Sequence, residues 1–298
     1  MSRTGAVRVR AYAKINLLLR VGPRQPNGYH GLETVFQALR LHDTLVCAPT
    51  RGAFGLACDD PAVPADERNL VWKAARALWR ALGRPGEPAR CAVTIGKRIQ
   101  LQAGLGGGSA DAAAAIVALH RVWTGRLSSS ELAAVAAGVG ADVPYFIVGG
   151  TALGLGRGDD VYPLPDAASR WIVLACPPFG VATAEAYGWL DQDRGGGIDL
   201  AGRRAPVLAA WAGRELAVAN DLEAPVVRRH PAIAALVDVL AGAGAEAAAM
   251  SGSGSTVFGV FGTERRARLA AHAAAASGAQ AIVTRTAPRA WCRRALAG

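Results

Sequence analysis

The stretch Ala103-Gly-Leu-Gly-Gly-Gly-Ser-Ala-Asp111 decides how the rest of this 298-residue chain is read. Four glycines and a serine run directly into an alanine-rich segment of helical character. Glycine lets backbone N–H groups approach an anion closely, and a helix N-terminus adds unpaired donors and partial positive charge. Residues 104–109 therefore read as a phosphate cradle, with a flexible turn as the plainer alternative. No Gly-Lys-Ser/Thr follows, so this is not a Walker A loop. Nor is it a dinucleotide fingerprint, because Gly104-x-Gly106-x-x-Ser109 lacks the third glycine and the βαβ spacing.

Working outward, residues 91–95 read as a strand leading to the loop. Residues 109–123 read as the helix after it, with Ile116, Leu119, His120 and Trp123 on one face. Strands are expected at 7–12, 14–21, 33–41 and 43–48, with a Pro-Asn-Gly turn at 25–28. A helix fits 69–82, and another, opened by serines with N-cap character, fits 129–138. Beyond Gly149 the pattern resets: strands at 171–176, 256–261 and 280–286, helices at 231–241 and 265–277, and a second glycine loop at 251–255. The polar, glycine-rich segment 192–202 reads as a surface loop. A domain boundary is expected near 163–165, giving domains 1–163 and 164–298.

Composition narrows the class. Hydrophobic residues make up 51% and charged ones 19%, enough for a sizeable core and too few charges for a disordered chain. No apolar run approaches the roughly 18–20 residues of a membrane span, and no targeting segment is visible, so a cytoplasmic protein without membrane partners is expected. The five cysteines are scattered, without metal-ligand spacing, and read as reduced structural thiols. The net charge of +10 is spread along the chain with no interleaved aromatics, which argues against nucleic acid as partner. Among 33 basic residues only Lys14, Lys73 and Lys97 are lysines, which draws attention to Lys14 and Lys97.

Three further segments carry chemistry. In Ala11-Tyr-Ala-Lys-Ile-Asn16, Lys14 and Asn16 are two apart and share one face of a strand, facing either water or a site. In Gly140-Ala-Asp-Val-Pro-Tyr-Phe146, Asp142 stands in an apolar run after a helix, as a turn or cap residue or as the partner of Lys14. A carboxylate beside an ammonium can accept a hydroxyl proton while the ammonium offsets developing negative charge, which is what phosphoryl transfer to an alcohol asks of a protein. In Asn27-Gly-Tyr-His30, a Tyr-His pair beside a turn can stack on and hydrogen-bond a base, or can be an ordinary surface pair. Met250-Ser-Gly-Ser-Gly-Ser-Thr256 reads equally well as a hairpin turn.

In this order the segments resemble the GHMP kinase superfamily over nearly the whole chain. The glycine loop is general to it; Ala13-Lys-Ile-Asn-Leu17, Asn27-Gly-Tyr-His30 and Thr34-Val-Phe-Gln37 resemble the branch that phosphorylates a cytidine-diphosphate-linked methylerythritol. Asn220-Asp-Leu-Glu223 resembles a later signature of the same branch. The resemblance implies an α+β, two-domain GHMP kinase fold, with a ribosomal protein S5 domain 2-like N-terminal domain and a ferredoxin-like C-terminal one. It implies ATP with Mg²⁺, a small-molecule acceptor bearing cytidine, and a monomer or homodimer. Asp142 would be the general base and Lys14 its charge partner. Asn16 would orient the erythritol; Tyr29, His30, Thr183 and Tyr187 would hold the cytosine. Gln100, Leu101, Gln102, Ala103, Gly104, Leu105, Gly106, Gly107, Gly108, Ser109 and Ala110 would form the ATP loop, with Asn69 and Lys97 near the adenine. No dedicated protein metal ligand is expected. Gln100 and Ala110 replace the proline and serine usual in that branch. The competing readings are a GHMP kinase for another alcohol and a basic nucleotide-binding protein without catalysis.

Overall fold

A computed structural model describes residues 5–26, 28–194 and 218–297. Two long strands organise the first half, β1 (Val7–Arg24) and β2 (His30–Ala53), paired antiparallel. The expected pairs of short strands thus merge, because Tyr12 and His42, beside the two expected breaks, pair with each other. Strand β2 serves two further partners: its later half pairs with β4 (Ala89–Gly96), its earlier half with β5 (Thr151–Gly156). With β3 (Gly55–Cys58), β6 (Asp160–Pro163) and the two-residue β8 (Ala219–Asn220), they make a seven-stranded sheet. The β1–β2 register shifts between Tyr12 and Lys14 and again between Asn16 and Leu18. Such irregularities re-aim side chains, and these two bracket the residues singled out from sequence.

Helices α1 (Leu70–Ala81), α2 (Gly107–Val122), α3 (Ser129–Val139) and α4 (Val143–Val148) cover one side of this sheet. Asn69 caps α1 by accepting from Val71 N–H, and Ser128 with Glu131 forms a capping box on α3. Helix α2 starts at Gly107, two residues earlier than expected, so the loop's last glycines belong to its first turn. Its alanines 112–115 are fully buried, which lets the helix lie close to the sheet.

The second sheet runs β11 (Gln280–Arg285), β7 (Trp171–Cys176), β10 (Val257–Phe261), β9 (Ala247–Met250), all antiparallel. Between β7 and β9 lie α5 (Thr183–Arg194), α6 (Glu223–Arg229) and α7 (Ala232–Gly242). Helix α8 (Glu264–Ala276) separates β10 from β11, the β-α-β-β-α-β order of ferredoxin-like folds. Residues 192–194, expected in a loop, end α5; the rest of 192–202 lies outside the described residues, as does Asn27.

Strand β7 shows how the halves join. Val173 and Ala175 face the helices of the second half, while Ile172, Leu174 and Cys176 face Ala13, Ile15, Leu17 and Leu105 of the first. A strand buried on both faces reads as an unbroken apolar run, as Trp171–Cys176 does. Helix α9 (Arg289–Ala297) returns to the first core, where Cys292, Ala295 and Leu296 are buried.

Candidate active site

The glycine loop is crowded from behind by protein. Gly104 and Gly106 are both left-handed, at φ 72°. A Cβ on Gly104 would lie 2.0 Å from the Ser251 carbonyl oxygen, and one on Gly106 would lie 2.7 Å from the Phe146 ring. Only glycine meets both demands. Gly106 occupies the N-cap position of α2 and no side chain caps that end, so the first N–H groups of the helix have no intrahelical acceptor. The loop is tied down on both sides: Lys14 N–H donates to Leu105 O at 3.0 Å, and Ser251 Oγ donates to Gly104 O at 3.1 Å. Residues 100–109 all line a cavity of about 550 Å³. Ala110 does not reach it and is buried beneath.

Lys14 and Asn16 project into this cavity from β1. Both are only 4% exposed, so the water-facing alternative does not hold for them. Lys14 Nζ donates to Asn16 Oδ1 at 2.6 Å; Asn16 Nδ2 donates to Thr34 Oγ1 at 2.7 Å; Thr34 Oγ1 donates to Leu18 O at 2.7 Å. Thr34 sits on β2 opposite Leu19, and sequence reasoning gave it no role in the site. Asp142 comes from the other wall, 3.6 Å from Lys14 Nζ. It stands at the N-cap position of α4, yet its side chain caps nothing, which leaves the carboxylate for Lys14. Burial lowers the Lys14 pKa, with the Asp142 carboxylate pulling the other way.

A second cavity, about 630 Å³, shares Leu32, Ser109, Asp142, Thr183 and Tyr187 with the first. Tyr29 and His30 line it. His30 is buried at 9% exposure, not an ordinary surface histidine, and Tyr29 is 56% exposed. His30 Nε2–H donates to Asp191 Oδ1 at 2.8 Å, and the ring lies 5.2 Å from that of Tyr187. That bond fixes the tautomer and orientation of the imidazole. Thr183 opens α5 and hydrogen-bonds Ser253 Oγ at 3.2 Å; Tyr187 follows one turn later, its hydroxyl pKa raised by burial and by Asp142.

Two residues expected near the adenine have their side chains occupied elsewhere. Asn69 caps α1 and donates to Pro64 O at 2.7 Å, and it does not line the cavity. Lys97 Nζ lies between Asp43 at 2.5 Å and Asp111 at 2.9 Å, behind the first turn of α2. Sequence reading missed this triad, whose only signal was two acids and a scarce lysine in otherwise apolar segments. It also missed the second glycine loop's part in the site. That loop is the turn between β9 and β10, and a Cβ on Gly252 would come within 3.3 Å of both Asn16 Oδ1 and Lys14 Nζ. Asn220 Nδ2 donates to Met250 O and Gly252 O, and Glu223 accepts from Met250 N–H, so the signature 220–223 clamps this turn.

Residues 69–150 match the profile of the GHMP kinases N terminal domain, and residues 207–280 that of GHMP kinases C terminal. The chain is 39% identical to 4-diphosphocytidyl-2-C-methyl-D-erythritol kinase of Moorella thermoacetica, over 93% of this chain and 97% of that one. With the protein of the same name from Salinispora tropica it shares 42%, over 91% and 89%. A crystal structure of 4-(cytidine 5'-diphospho)-2C-methyl-D-erythritol kinase superposes with a TM-score of 0.77 at 33% identity, covering 94% of this chain and 99% of that one. Homoserine kinase from Cytophaga hutchinsonii superposes at 0.71 with 19% identity, covering 97% and 96%, a likeness of fold alone. Two matched kinase domains and such identity over nearly the full length of the curated relatives lead to one conclusion: the chain belongs to the 4-diphosphocytidyl-2-C-methyl-D-erythritol kinase family of the GHMP kinases.

Proposed function

We propose that the chain transfers the terminal phosphoryl group of ATP to the 2-hydroxyl of 4-diphosphocytidyl-2-C-methyl-D-erythritol, giving the 2-phosphate and ADP, a step of the methylerythritol phosphate route to isoprenoid precursors. The observation that carries this reading is the meeting of two cavities at Asp142, one walled by the glycine loop and the other by His30 and Tyr187.

In this reading the nucleotide's phosphates lie over the loop, where the N–H groups opening α2 face them. The acceptor's cytosine lies against His30, Tyr29 and Tyr187, and Asn16 with Thr34 orients its methylerythritol end. The hydroxyl proton passes to Asp142 as the hydroxyl oxygen bonds to phosphorus and the bond from that phosphorus to ADP breaks. Lys14, held by Asn16, offsets the negative charge gathering on the transferred group. Among the described residues no three His, Cys, Asp or Glu side chains gather around a metal. A cation carried on the nucleotide's phosphates suits such a site, with Ser109 as the chain's contact. Magnesium bound there would supply further charge neutralisation between the phosphoryl oxygens. We divide the chain into domains 1–163 and 164–298, between β6 and β7, with β8 and α9 crossing back to the first sheet's side. An assay of ADP release by the purified chain, offered this acceptor, homoserine and mevalonate in parallel, tests the assignment. Turnover confined to the cytidine-bearing acceptor supports it; preference for either of the others overturns it.

A further inference from the structure

The name of the relatives describes an acceptor of three parts: a cytidine, a diphosphate and a methylerythritol. The reading above gives residues to the two ends, and the diphosphate between them has none. A diphosphate brings at least two negative charges, which need cationic partners in any cavity that encloses them.

The second cavity contains such partners. Its charged lining side chains are Arg24, Asp142, Arg157 and Asp191. The two acids have partners already: Asp142 lies 3.6 Å from Lys14, and Asp191 accepts a hydrogen bond from His30 at 2.8 Å. The two arginines remain as cations toward a ligand. They flank the Tyr29–His30 segment from separate elements. Arg24 ends β1 and donates from Nε to Gly28 O at 3.3 Å, which ties it to the turn just before Tyr29. Arg157 lies in the β5–β6 turn with its guanidinium 5.5 Å over the Tyr29 ring. Its acidic partner is Asp159, two residues on, in a half-exposed pair. Ion pairs of that kind contribute little, so the guanidinium can turn from Asp159 to a phosphate at small cost. The planar guanidinium presents a fork of donors that matches phosphate oxygens two at a time.

We infer that Arg24 and Arg157 form a diphosphate-recognition subsite for the acceptor, clasping the linker between the cytosine at His30 and the hydroxyl at Asp142. The inference rests on the acceptor assigned under Proposed function.

Calorimetric titration with cytidine and with CDP, in saturating ADP to fill the glycine loop, separates the phosphate contribution from that of the base. Wild-type protein is expected to bind CDP about a hundredfold more tightly than cytidine, two charge-assisted contacts of about tenfold each. Arg157→Gln and Arg24→Gln should each shrink that ratio about tenfold and leave cytidine affinity within about threefold. Arg157→Lys should keep part of it, since the charge stays and the fork is lost. An unchanged ratio in both glutamine variants overturns the subsite. So does equal weakening of cytidine and CDP, which would reduce Arg157 to a support for the Tyr29 ring. If wild-type protein binds neither probe, the acceptor assignment itself fails, and the subsite with it.

Discussion

Lys14 and Asn16 were legible as a pair because strand periodicity places alternate residues on one face, and their side chains bond at 2.6 Å. Their partner Thr34 was not legible, since its position follows from the β1–β2 register, which slips twice around these residues. Asp191 and Arg157 were hidden for a similar reason: each comes from a segment whose nearness to Tyr29 and His30 depends on the placement of α5 or the β5–β6 turn. His30 shows what such packing adds. A lone histidine in a turn-flanked pair says little, whereas this one is buried against Tyr187 and oriented by Asp191. His30→Ala should raise KM for the cytidine-bearing acceptor about tenfold or more while KM for ATP stays within about twofold, from one lost ring contact and hydrogen bond. Initial rates against each substrate in turn decide this, and equal rises in both constants would contradict it.

At the level of elements, α2 was readable from its glycines and alanines, and the structure corrects only its start. Helices α4 and α5 were not readable: α4 is a six-residue segment opened by Asp142 and Pro144, and α5 carries a mixed face around Tyr187. The turn between β9 and β10 looked like an ordinary hairpin connection, and it is one. Its second task appears only when Ser251 reaches Gly104 and Asn16, and when Asn220 grips Met250 and Gly252. The Asn220 amide uses both hydrogens on those carbonyls, while its oxygen accepts from Leu222 N–H. Asn220→Asp would set a carboxylate against two carbonyl oxygens, a loss of roughly 1–3 kcal/mol for acceptors left unpaired. Because Gly252 lies against Lys14 and Asn16, kcat should fall on the order of tenfold or more, as small displacements of a catalytic group do. Chemical denaturation beside steady-state kinetics checks both effects; an unaltered kcat would sever the clamp from catalysis.

For the whole molecule, the sequence announced strands on both sides of Gly149, and the +10 charge spoke against nucleic acid through its even spread and the lack of interleaved aromatics. What the chain order could not reveal is the joint, where the inner faces of both sheets meet around Ile15, Leu105, Leu174 and Phe258. Behind the glycine loop, this compact assembly also encloses two acidic side chains around one ammonium. Asp43 is satisfied by Lys97 and by the N–H groups of Arg98 and Ile99, whereas Asp111 Oδ1 is buried without a partner. Burial first, and then Asp43 against the pull of Lys97, raises the Asp111 pKa to about 8. Its unfolded value is about 3.9, so between roughly pH 4 and 8 the folded chain holds a proton that the unfolded chain releases. This group's stabilisation is therefore full at the acid end of the window and is lost as pH rises through it. Urea titrations from pH 5 to 9 should show wild-type stability falling relative to Asp111→Asn, which carries no such proton. Parallel pH curves for the two proteins would contradict the assignment.

The central claim is that phosphoryl transfer happens where the two cavities meet, with Asp142 taking the proton and the glycine loop holding the nucleotide independently of it. Single-turnover rates of Asp142→Asn with 4-diphosphocytidyl-2-C-methyl-D-erythritol, beside its equilibrium affinity for ATP, test that most directly. The rate should fall on the order of 10³-fold with ATP affinity unchanged within about threefold. A near wild-type rate would contradict the claim, as would a loss traced wholly to nucleotide binding.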